Sequence, residues 1–399
     1  MPHCQVNSKL SLKAITAGAT ALLVLMTTLV GILRNSQEVS TWFRDIFPKD
    51  PYIVEVTYPS VVPIYLKYYY DAEGLGQQES LYWFRIKAHN NTRASLFLEV
   101  SFVLHPGDCN FVVLKNKESY KYSLGGNETK EETISPPLEF TKRDFAGSCS
   151  LQINWLVEND RKEIKYTKAD LAPITLLPIH TVKWDLLNPA KKPVSREFLL
   201  SSLVAWSLSR DGLLLKRVEQ LKQKTHASSP AKWLTACYDD LFREPNALSI
   251  HSTASTYPFS GEKIVALPGE ILSDGQAEPL EAGLLMAAMV RAELPTRRTR
   301  LTLFILPRAD DLPRPSVLLA WSLPDSREWE AIDLTEPKKL DLKSNIEQSQ
   351  KLLQQTLSQE PQLMASLSLK GVFVGDQASS PMAVSLDRAE EQFRIRPLD

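Results

Sequence analysis

The sequence predicts a multidomain protein with an N-terminal transmembrane helix, an all-β immunoglobulin-like sandwich and then an α+β domain. Three observations lead to this fold class. An uncharged apolar run covers residues 14–33, an alternating strand pattern fills residues 51–187, and helical spacing of apolar side chains begins after a linker at residues 188–194. With 399 residues, 43% of them hydrophobic and 23% charged, the chain is long enough for two folded domains of ordinary composition.

The apolar run at residues 14–33 is about 20 residues long, which is enough to cross the hydrocarbon layer of a membrane as a helix. Lys9 and Lys13 precede it, and Arg34 follows it. A cleaved signal peptide would have a shorter apolar core, of roughly 7–15 residues, and a small-x-small cleavage site after it. Residues 32–35 (ILRN) make a poor site of that kind. We therefore predict an uncleaved signal-anchor, with a cleaved signal peptide as the alternative.

A short tail, residues 1–13, precedes the predicted anchor, and a juxtamembrane segment, residues 34–50, follows it. The aromatic residues of that segment suit the membrane interface, or they belong to a linker that packs on the next domain. A short tail ahead of one anchor favours an exported body, although the lysine and arginine counts do not decide the orientation. We expect a single-pass protein of the cell membrane, with its bulk on the extracytoplasmic side, which is the periplasm if the source is bacterial.

Residues 51–187 carry the alternation of half-buried β-strands. Leu96, Leu98 and Val100 fall on one predicted face, with Glu99 on the other. Several short strands separated by turn residues, with no helical period, predict an antiparallel sandwich that is immunoglobulin-like in the loose sense. Such modules more often bind or space than catalyse.

Cys109 and Cys149 each begin a predicted strand of this sandwich. In an exported domain a disulfide between them is one expectation, and two buried thiols are the alternative. The chain has no C-x-x-C pair and no Cys/His cluster, so we expect neither a structural metal site nor a cofactor. A net charge of −1 gives no electrostatic argument for a nucleic-acid partner.

Residues 188–194 form the clearest linker, because two prolines and two lysines separate patterns of different period. Helical spacing then begins the second domain, residues 195–399. Within it, Cys237 shares the apolar face of a predicted helix with Trp233 and Leu241. A packed core thiol is therefore favoured over a nucleophile that would use His251 as its base.

The stretch from residue 268 to residue 335 contains short motifs in a characteristic order. A turn leads into a predicted amphipathic helix that starts near Pro279, and two apolar strands follow. The motifs are PGEIL at 268–272, the turn SDG at 273–275, RA at 291–292, LPTR at 294–297, the strands LTLFILP at 301–307 and SVLLAWS at 316–322, and a final segment from Trp329 through Asp333 to Thr335. This order resembles the catalytic core of the transglutaminase-like superfamily, whose fold is papain-like.

The resemblance implies a Cys-His-Asp triad, of which this sequence keeps the acid. Counting without gaps, the cysteine of the family falls on Pro279 and the histidine on Leu319, or on Ser316 in a shifted alignment. Asp333 keeps its family identity. The chain has neither a cysteine nor a histidine beyond residue 251, so no shift of the alignment restores the pair.

Acyl transfer in that family needs a thiolate, a histidine base and an acid that orients the base. Proline is comfortable at the first position of a helix, but it supplies no nucleophile and removes an N–H that could have bound the oxyanion. We therefore predict a pseudoenzyme that serves in protein binding or in the assembly of a membrane-associated complex. The alternatives are an active cysteine peptidase or transglutaminase that uses Cys237, and an unrelated α+β binding module.

Arg297, Arg298 and Arg300 form the densest basic group in the sequence. They predict contact with an acidic partner or with lipid headgroups, or else a solvated turn that flanks a strand. Asp333 is expected to accept a hydrogen bond in the turn before Thr335. Three further acidic residues are expected on a solvated face near the C-terminus: Asp387, Glu390 and Glu391.

Overall fold

The structure is a computed structural model. The predicted tail, anchor and juxtamembrane segment, residues 1–50, lie outside the described residues. Within the described part, no single helix is long and apolar enough to span a membrane, and one pair bent by 60° passes that test jointly, Arg196–Ser207 with Gly212–Thr225. The described residues are 52–63, 84–104, 112–114, 119–134, 138–140, 147–149, 151–159, 164–170, 174–187, 193–227, 229–245, 247–251, 261–294, 299–307, 315–322, 329–375, 380–393 and 395.

The first half of the described chain consists of β-strands. In chain order they are β1 (Tyr52–Thr57), β2 (Val61–Pro63), β3 (Phe84–Asn90), β4 (Leu96–Leu104), β5 (Val112–Leu114), β6 (Tyr120–Leu124), β7 (Thr129–Ile134), β8 (Leu138–Phe140), β9 (Gly147–Cys149), β10 (Leu151–Asn159), β11 (Ile164–Asp170), β12 (Ile174–Leu177) and β13 (Thr181–Lys183). The two larger sheets are antiparallel and have the strand orders β1-β3-β7 and β11-β10-β4-β6. Two smaller sheets join β5 with β8 and β2 with β12 and β9.

Both larger sheets contribute to one hydrophobic core. Phe84 and Ile86 of β3 are each 2% exposed, and Leu98 and Val100 of β4 are 1% and 0% exposed. Intervening residues such as Phe97, at 39%, face outward. Because successive side chains of a strand point to opposite faces, this alternation confirms the predicted inward face of β4.

The last strand before the predicted linker pairs with a strand that lies beyond it. In β13, Thr181 is paired with Ile264 in antiparallel register, and the N–H of Val194 donates to the carbonyl of Leu186 at 2.8 Å. The side chains around this junction are buried in the same core as the helices of the second half. They are Ile179, Val182, Trp184 and Leu186.

The second half combines helices with one larger sheet. Its described helices are α1 (Arg196–Ser202), α2 (Val204–Ser207), α3 (Gly212–Thr225), α4 (Pro230–Phe242), α5 (Pro268–Asp274), α6 (Pro279–Glu293), α7 (Leu342–Gln359), α8 (Gln362–Lys370) and α9 (Leu386–Phe393). Its described strands are β14 (Ser249–Ile250), β15 (Glu262–Ile264), β16 (Gln276–Ala277), β17 (Arg300–Leu306), β18 (Ser316–Ser322), β19 (Glu330–Asp333), β20 (Val372–Val374) and β21 (Met382–Ser385).

The larger sheet has the strand order β19-β18-β17-β21-β20, and its neighbouring strands are antiparallel. One face, which carries Leu303 and Leu319, packs in the core that includes α6. The other face, which carries Phe304 and Leu318, packs against side chains of α7 and α8. The sheet is therefore covered on both faces.

Helix α6 begins at Pro279, as the sequence predicts, but the expectation that it is amphipathic is wrong. Every side chain from Pro279 to Val290 is buried. The helix lies between the sheet and helices α2, α3, α4 and α5, so it has no solvated face over these residues. A Cβ atom on Gly283 would lie 2.8 Å from Cδ1 of Leu303, which shows how closely the helix approaches the sheet.

Candidate functional site

The start of α6, where the resemblance places a nucleophile, is closed by the protein itself. Pro279 is buried at the first helical position. Two residues later, the Glu281 carboxylate accepts hydrogen bonds from the N–H groups of Glu278 and Ala266, both at 2.7 Å. Burial raises the pKa of the Glu281 carboxyl, and these two N–H groups oppose that shift. A carboxylate of the protein thus binds the N–H of the N-cap residue of α6, together with an N–H from the segment before α5.

The other two triad positions point to opposite faces of the sheet. Leu319 pairs with Ile332 and lies in the core on the α6 side, with 0% exposure. Asp333 pairs with Leu318, which faces α7 and α8. Directly opposed residues of a ladder share a face, so Asp333 lies on the face of Leu318. Leu319, the next residue of the strand, points to the other face, and its side chain does not converge with that of Asp333. Pro279 and Leu319 lie on the face of the sheet that packs against α6, and Asp333 lies on the face that packs against α7 and α8.

Asp333 is held in a turn and polar network at the edge of the sheet. Its Oδ1 accepts from the N–H of Thr335 at 2.7 Å, which confirms the predicted turn role. The Asn345 side chain accepts from the N–H of Asp333 at 2.7 Å and donates to its carbonyl at 3.0 Å. These bonds tie α7 to β19. Ser316, the alternative histidine position, lies with Asp333 in the lining of a cavity of about 380 Å³.

Cys237 is a packed core thiol, as predicted from its helical spacing. It lies inside α4 with 0% exposure, and Trp233 on the same helix is 2% exposed. Burial raises the pKa of the Cys237 thiol well above its usual value, and the nearby Asp240 carboxylate adds to that shift. The imidazole proposed as its base, on His251, belongs to an exposed residue. A buried thiol that resists ionisation is a poor nucleophile.

Two predicted features fall largely outside the described residues. Cys109 is outside them, and of Cys149 the backbone at the end of β9 is described but the side chain is not. The predicted disulfide therefore stays a prediction. Arg297 and Arg298 are also outside the described residues, whereas Arg300 begins β17 and is exposed.

Arg300 stands at the mouth of the sheet-end cavity, a space of about 500 Å³ at the start of β17. The cavity lies on the face of the sheet that carries α8, and α9 closes its side. One wall is apolar and the others carry charges and hydroxyl groups. The lining residues are Arg300, Thr302, Trp329, Met364, Leu367, Ser368, Ser385, Asp387, Arg388 and Glu391.

Asp387 is a largely buried acid of this cavity, and the expectation that it is solvated is wrong. Its side chain is 14% exposed, and its Oδ1 lies 3.3 Å from the guanidinium of Arg291, which is itself 7% exposed. Its Oδ2 accepts from the N–H of Leu301 at 2.8 Å. Burial raises the pKa of Asp387 to about 6, although the Arg291 cation and the Leu301 N–H act in the opposite direction.

Arg291, which belongs to the family-like RA motif, joins α6 to two other helices. Its guanidinium donates to the hydroxyl of Ser207 at 2.8 Å, and it also pairs with Glu390 of α9. The cavity was not foreseen from the sequence, because its lining comes from strands and helices that are far apart in the chain. The sequence did contain one indication of it. Arg291 lies in a mostly apolar helix, and a buried cation requires an acidic partner from another element.

No protein-family model matches this chain, and no curated protein matches it either. Among solved structures, a FixG-related protein from Vibrio parahaemolyticus is 9% identical, with 31% of this chain and 95% of that chain covered and a TM-score of 0.16. A "putative protease" from Parabacteroides distasonis is 11% identical, with 63% of this chain and 66% of that chain covered and a TM-score of 0.23. TM-scores this low do not establish a shared fold with either protein.

Proposed function

We propose that this chain is a membrane-anchored, exported and non-catalytic protein of the transglutaminase-like type that acts in protein binding or in the assembly of a membrane-associated complex. In this proposal residues 14–33 are the anchor, residues 51–187 an immunoglobulin-like sandwich and residues 195–399 the degenerate domain. The observation that carries it is the loss of both catalytic groups, because buried Pro279 and buried Leu319 stand where the resemblance expects a thiol and an imidazole.

The described geometry also weakens the alternative in which Cys237 is the nucleophile. The thiol is fully buried, and its pKa is raised by that burial. A nucleophilic cysteine needs an accessible thiolate and a nearby base or positive charge. We therefore expect the purified chain to show no amine incorporation into protein glutamines and no peptide hydrolysis above background.

Thiol labelling separates these two readings. We expect iodoacetamide to leave the tryptic peptide Trp233–Arg243 unmodified in the native full-length protein and to modify it after unfolding in urea. The unfolded sample is the control that the peptide is detected. Equal labelling rates in the two states, or an acyl-transfer activity that Cys237→Ala abolishes, would overturn the non-catalytic proposal.

The membrane part of the proposal has its own test. We expect the full-length protein to remain in the membrane pellet after carbonate extraction, and a variant without residues 14–33 to enter the supernatant. An alkaline phosphatase reporter fused after residue 50 should be active if the body is exported. Release of the full-length protein by carbonate would contradict the anchor, and an inactive reporter would contradict the orientation.

A second candidate is an unrelated α+β binding module. The observation that favours it is the position of Leu319 and Asp333 on opposite faces of the sheet, where a triad could not assemble. The opposed arrangement is the one expected of an unrelated module, whereas the proposal of a degenerate family member rests on the order of the sequence motifs at 268–335.

A further inference from the structure

The sheet-end cavity has the size and the mixed lining of a small-ligand site. Its volume of about 500 Å³ falls in the range of roughly 300–1,000 Å³ that is typical of such sites. Trp329, Met364 and Leu367 form an apolar wall, and Ser368 and Ser385 add hydroxyl groups. The cavity is thus lined in the way that small-molecule sites are, with apolar walls and a few polar groups.

The floor of the cavity contains a polar group that the described protein leaves unsatisfied. Thr302 is 0% exposed, and its hydroxyl has no hydrogen-bond partner among the described residues. A buried hydroxyl without a partner is costly, so native proteins pair such groups with protein, water or ligand. Its neighbours across the ladder do not satisfy it, because Ala320 has no polar side-chain atom and the hydroxyl of Ser385 forms no hydrogen bond with it.

The charges around the cavity are separated rather than neutralised. Arg300 is exposed at the mouth and makes no ion pair within the described part of the chain. Asp387 lies deeper, where its Oδ1 has the 3.3 Å ionic contact with Arg291 but no hydrogen bond. Arg388 and Glu391, also in the lining, pair with each other at 3.2 Å. An unmatched cation therefore faces the same space as a carboxylate oxygen that can still accept a hydrogen bond.

We propose that the sheet-end cavity binds a ligand with a free α-carboxylate, an adjacent N–H group and an apolar side chain, which is either a free amino acid or the C-terminal residue of a short peptide. Arg300 pairs with the carboxylate, because arginine matches carboxylate geometry in a bidentate way. Asp387 accepts from the N–H, and the apolar side chain packs against Trp329 and Met364. The Thr302 hydroxyl receives a partner when the ligand fills the floor.

This site does not depend on the proposed function, since none of the triad positions lines it. Pro279 and Arg291 are separated along α6 by about 18 Å, at 1.5 Å per residue, and it is the Arg291 end that packs against α9 beside the cavity. A failure to bind ligand would therefore leave the non-catalytic proposal intact, and the discovery of an acyl-transfer activity would leave this site intact.

Calorimetric titration of the full-length protein with three probes tests the proposal. The probes are L-leucine, the dipeptide alanyl-leucine and alanyl-leucine amide, in which the carboxylate is neutralised. We expect leucine, the dipeptide or both to bind. The amide should bind at least about tenfold more weakly than the dipeptide. Tighter binding of leucine indicates an amino-acid site, and tighter binding of the dipeptide indicates a peptide terminus.

Matched substitutions locate the binding in this cavity. Arg300→Gln should weaken binding by about tenfold, and Arg196→Gln, at an exposed arginine on α1, should leave it unchanged. Thr302→Val should weaken binding and raise the melting temperature of the unliganded protein, a combination that a purely structural role would not give. Thr299→Val removes another buried, unpartnered hydroxyl, outside the lining, and should leave binding unchanged.

Three outcomes would overturn the proposal. The first is that none of the three probes binds at millimolar concentration. The second is that the amide binds as tightly as the dipeptide, which removes the role of the carboxylate. The third is that Arg300→Gln or Thr302→Val binds like the wild type, which places any binding elsewhere. Arg300 is exposed and Thr302→Val keeps the side-chain shape, so both variants should fold.

Discussion

Asp387 carries a carboxyl group into a largely dry environment at the start of α9. Burial raises its folded-state pKa to about 6 from the ordinary 3.8. Between these pH values the native protein keeps a proton that the unfolded chain has released, so stability falls as the pH rises through this window. Above it the loss is complete, and a separation of about two pH units corresponds to about 3 kcal/mol.

The substitution Asp387→Asn removes this titration while keeping an acceptor for the N–H of Leu301. We expect the free energy of unfolding of the wild type to fall, relative to the variant, by about 2 kcal/mol between about pH 4 and pH 7, because the unfolded carboxyl is already partly ionised at pH 4. Urea unfolding at a series of pH values measures this difference. The control is Asp274→Asn, a substitution at an exposed position, and its free energy of unfolding should depend on pH in the same way as that of the wild type. The same pH dependence for the wild type and Asp387→Asn would refute the role of Asp387.

Asn90 is the buried polar centre of the β-strand half, with 0% exposure. Its Nδ2 donates to the carbonyls of Ala94 at 2.7 Å and Gly125 at 2.9 Å. Its Oδ1 accepts from the N–H and the hydroxyl of Thr92, at 2.9 and 2.7 Å. These bonds join the β3–β4 turn to the β6–β7 turn, so one side chain fixes two loops.

The substitution Asn90→Ala leaves buried backbone groups without partners. We expect it to lower the free energy of unfolding by about 3 kcal/mol, since each unsatisfied buried group costs about 1–3 kcal/mol. Denaturant unfolding is the measurement. Asn127→Gly is the control, because Asn127 is exposed and has a φ of 58°, which glycine adopts without strain. Equal stability of the two variants would contradict this role for Asn90.

At the scale of single residues, burial was predictable where it depends on local spacing. Cys237 shares a helical face with Trp233 and Leu241, and that spacing alone predicted a core thiol. The burial of Asp387 depends instead on Arg291, which is distant in sequence, and its acidic neighbours in α9 suggested a solvated face. A hydrophobic pattern along one element carries no information about a contact between two elements.

Among the elements, α6 shows how a small residue sets the distance between a helix and a sheet. A Cβ on Gly283 would lie 2.8 Å from Leu303 Cδ1 and 3.3 Å from Leu334 Cδ1. The neighbouring side chains are fully buried and have little room to move. A larger side chain at this position must therefore push the helix from the sheet or distort the core.

The substitution Gly283→Leu tests this close approach. We expect it to lower the free energy of unfolding by about 2–3 kcal/mol through overpacking, even though leucine is the better helix former. Gly212→Leu is the matched control, since nothing lies within 4 Å of a Cβ at that helical glycine. Thermal unfolding of both variants decides the matter, and a stabilised Gly283→Leu variant would show that the core can accommodate the change.

The elements around the triad positions were predictable, but their relative orientation was not. The apolar runs at 301–307 and 316–322 correspond to β17 and β18, and the helix start at Pro279 was also foreseen. The faces of Leu319 and Asp333 depend on the register between β18 and β19. A shift of one residue reverses every side chain of a strand, and sequence spacing across a loop does not fix that register.

At the scale of the whole molecule, composition predicts a linker but not the distribution of contacts around it. Prolines and lysines at 188–194 predicted a break between two patterns of different period. In the structure, β13 before this segment pairs with β15 after it, and Trp184 donates its backbone N–H to the carbonyl of Gly261 at 2.9 Å. A strand of three residues is too short to show a periodic pattern, so the sequence does not predict which strand it pairs with.

The contacts of this junction predict how the second half responds to truncation. Two chain starts are compared, at residue 178 and at residue 188, and the longer chain keeps β13. Val182, Trp184 and Leu186 are at most 5% exposed, and burying a large apolar side chain is worth about 1.5–3 kcal/mol. We expect the chain that starts at 188 to be less stable by at least about 4 kcal/mol in urea unfolding, because three such side chains are lost together.

The full-length variant Trp184→Ala reports on the same junction without a new chain end. We expect this substitution to lower the free energy of unfolding by about 3–5 kcal/mol. The control is Lys183→Ala, which removes the ion pairs of Lys183 with Asp185 and Glu262 and should lower the free energy of unfolding by about 1 kcal/mol or less.

Equal unfolding midpoints for the two truncated chains would mean that β13 stabilises the first half rather than the second. Stability that follows β13 would instead place the folding boundary before residue 178, within the segment that composition assigns to the sandwich.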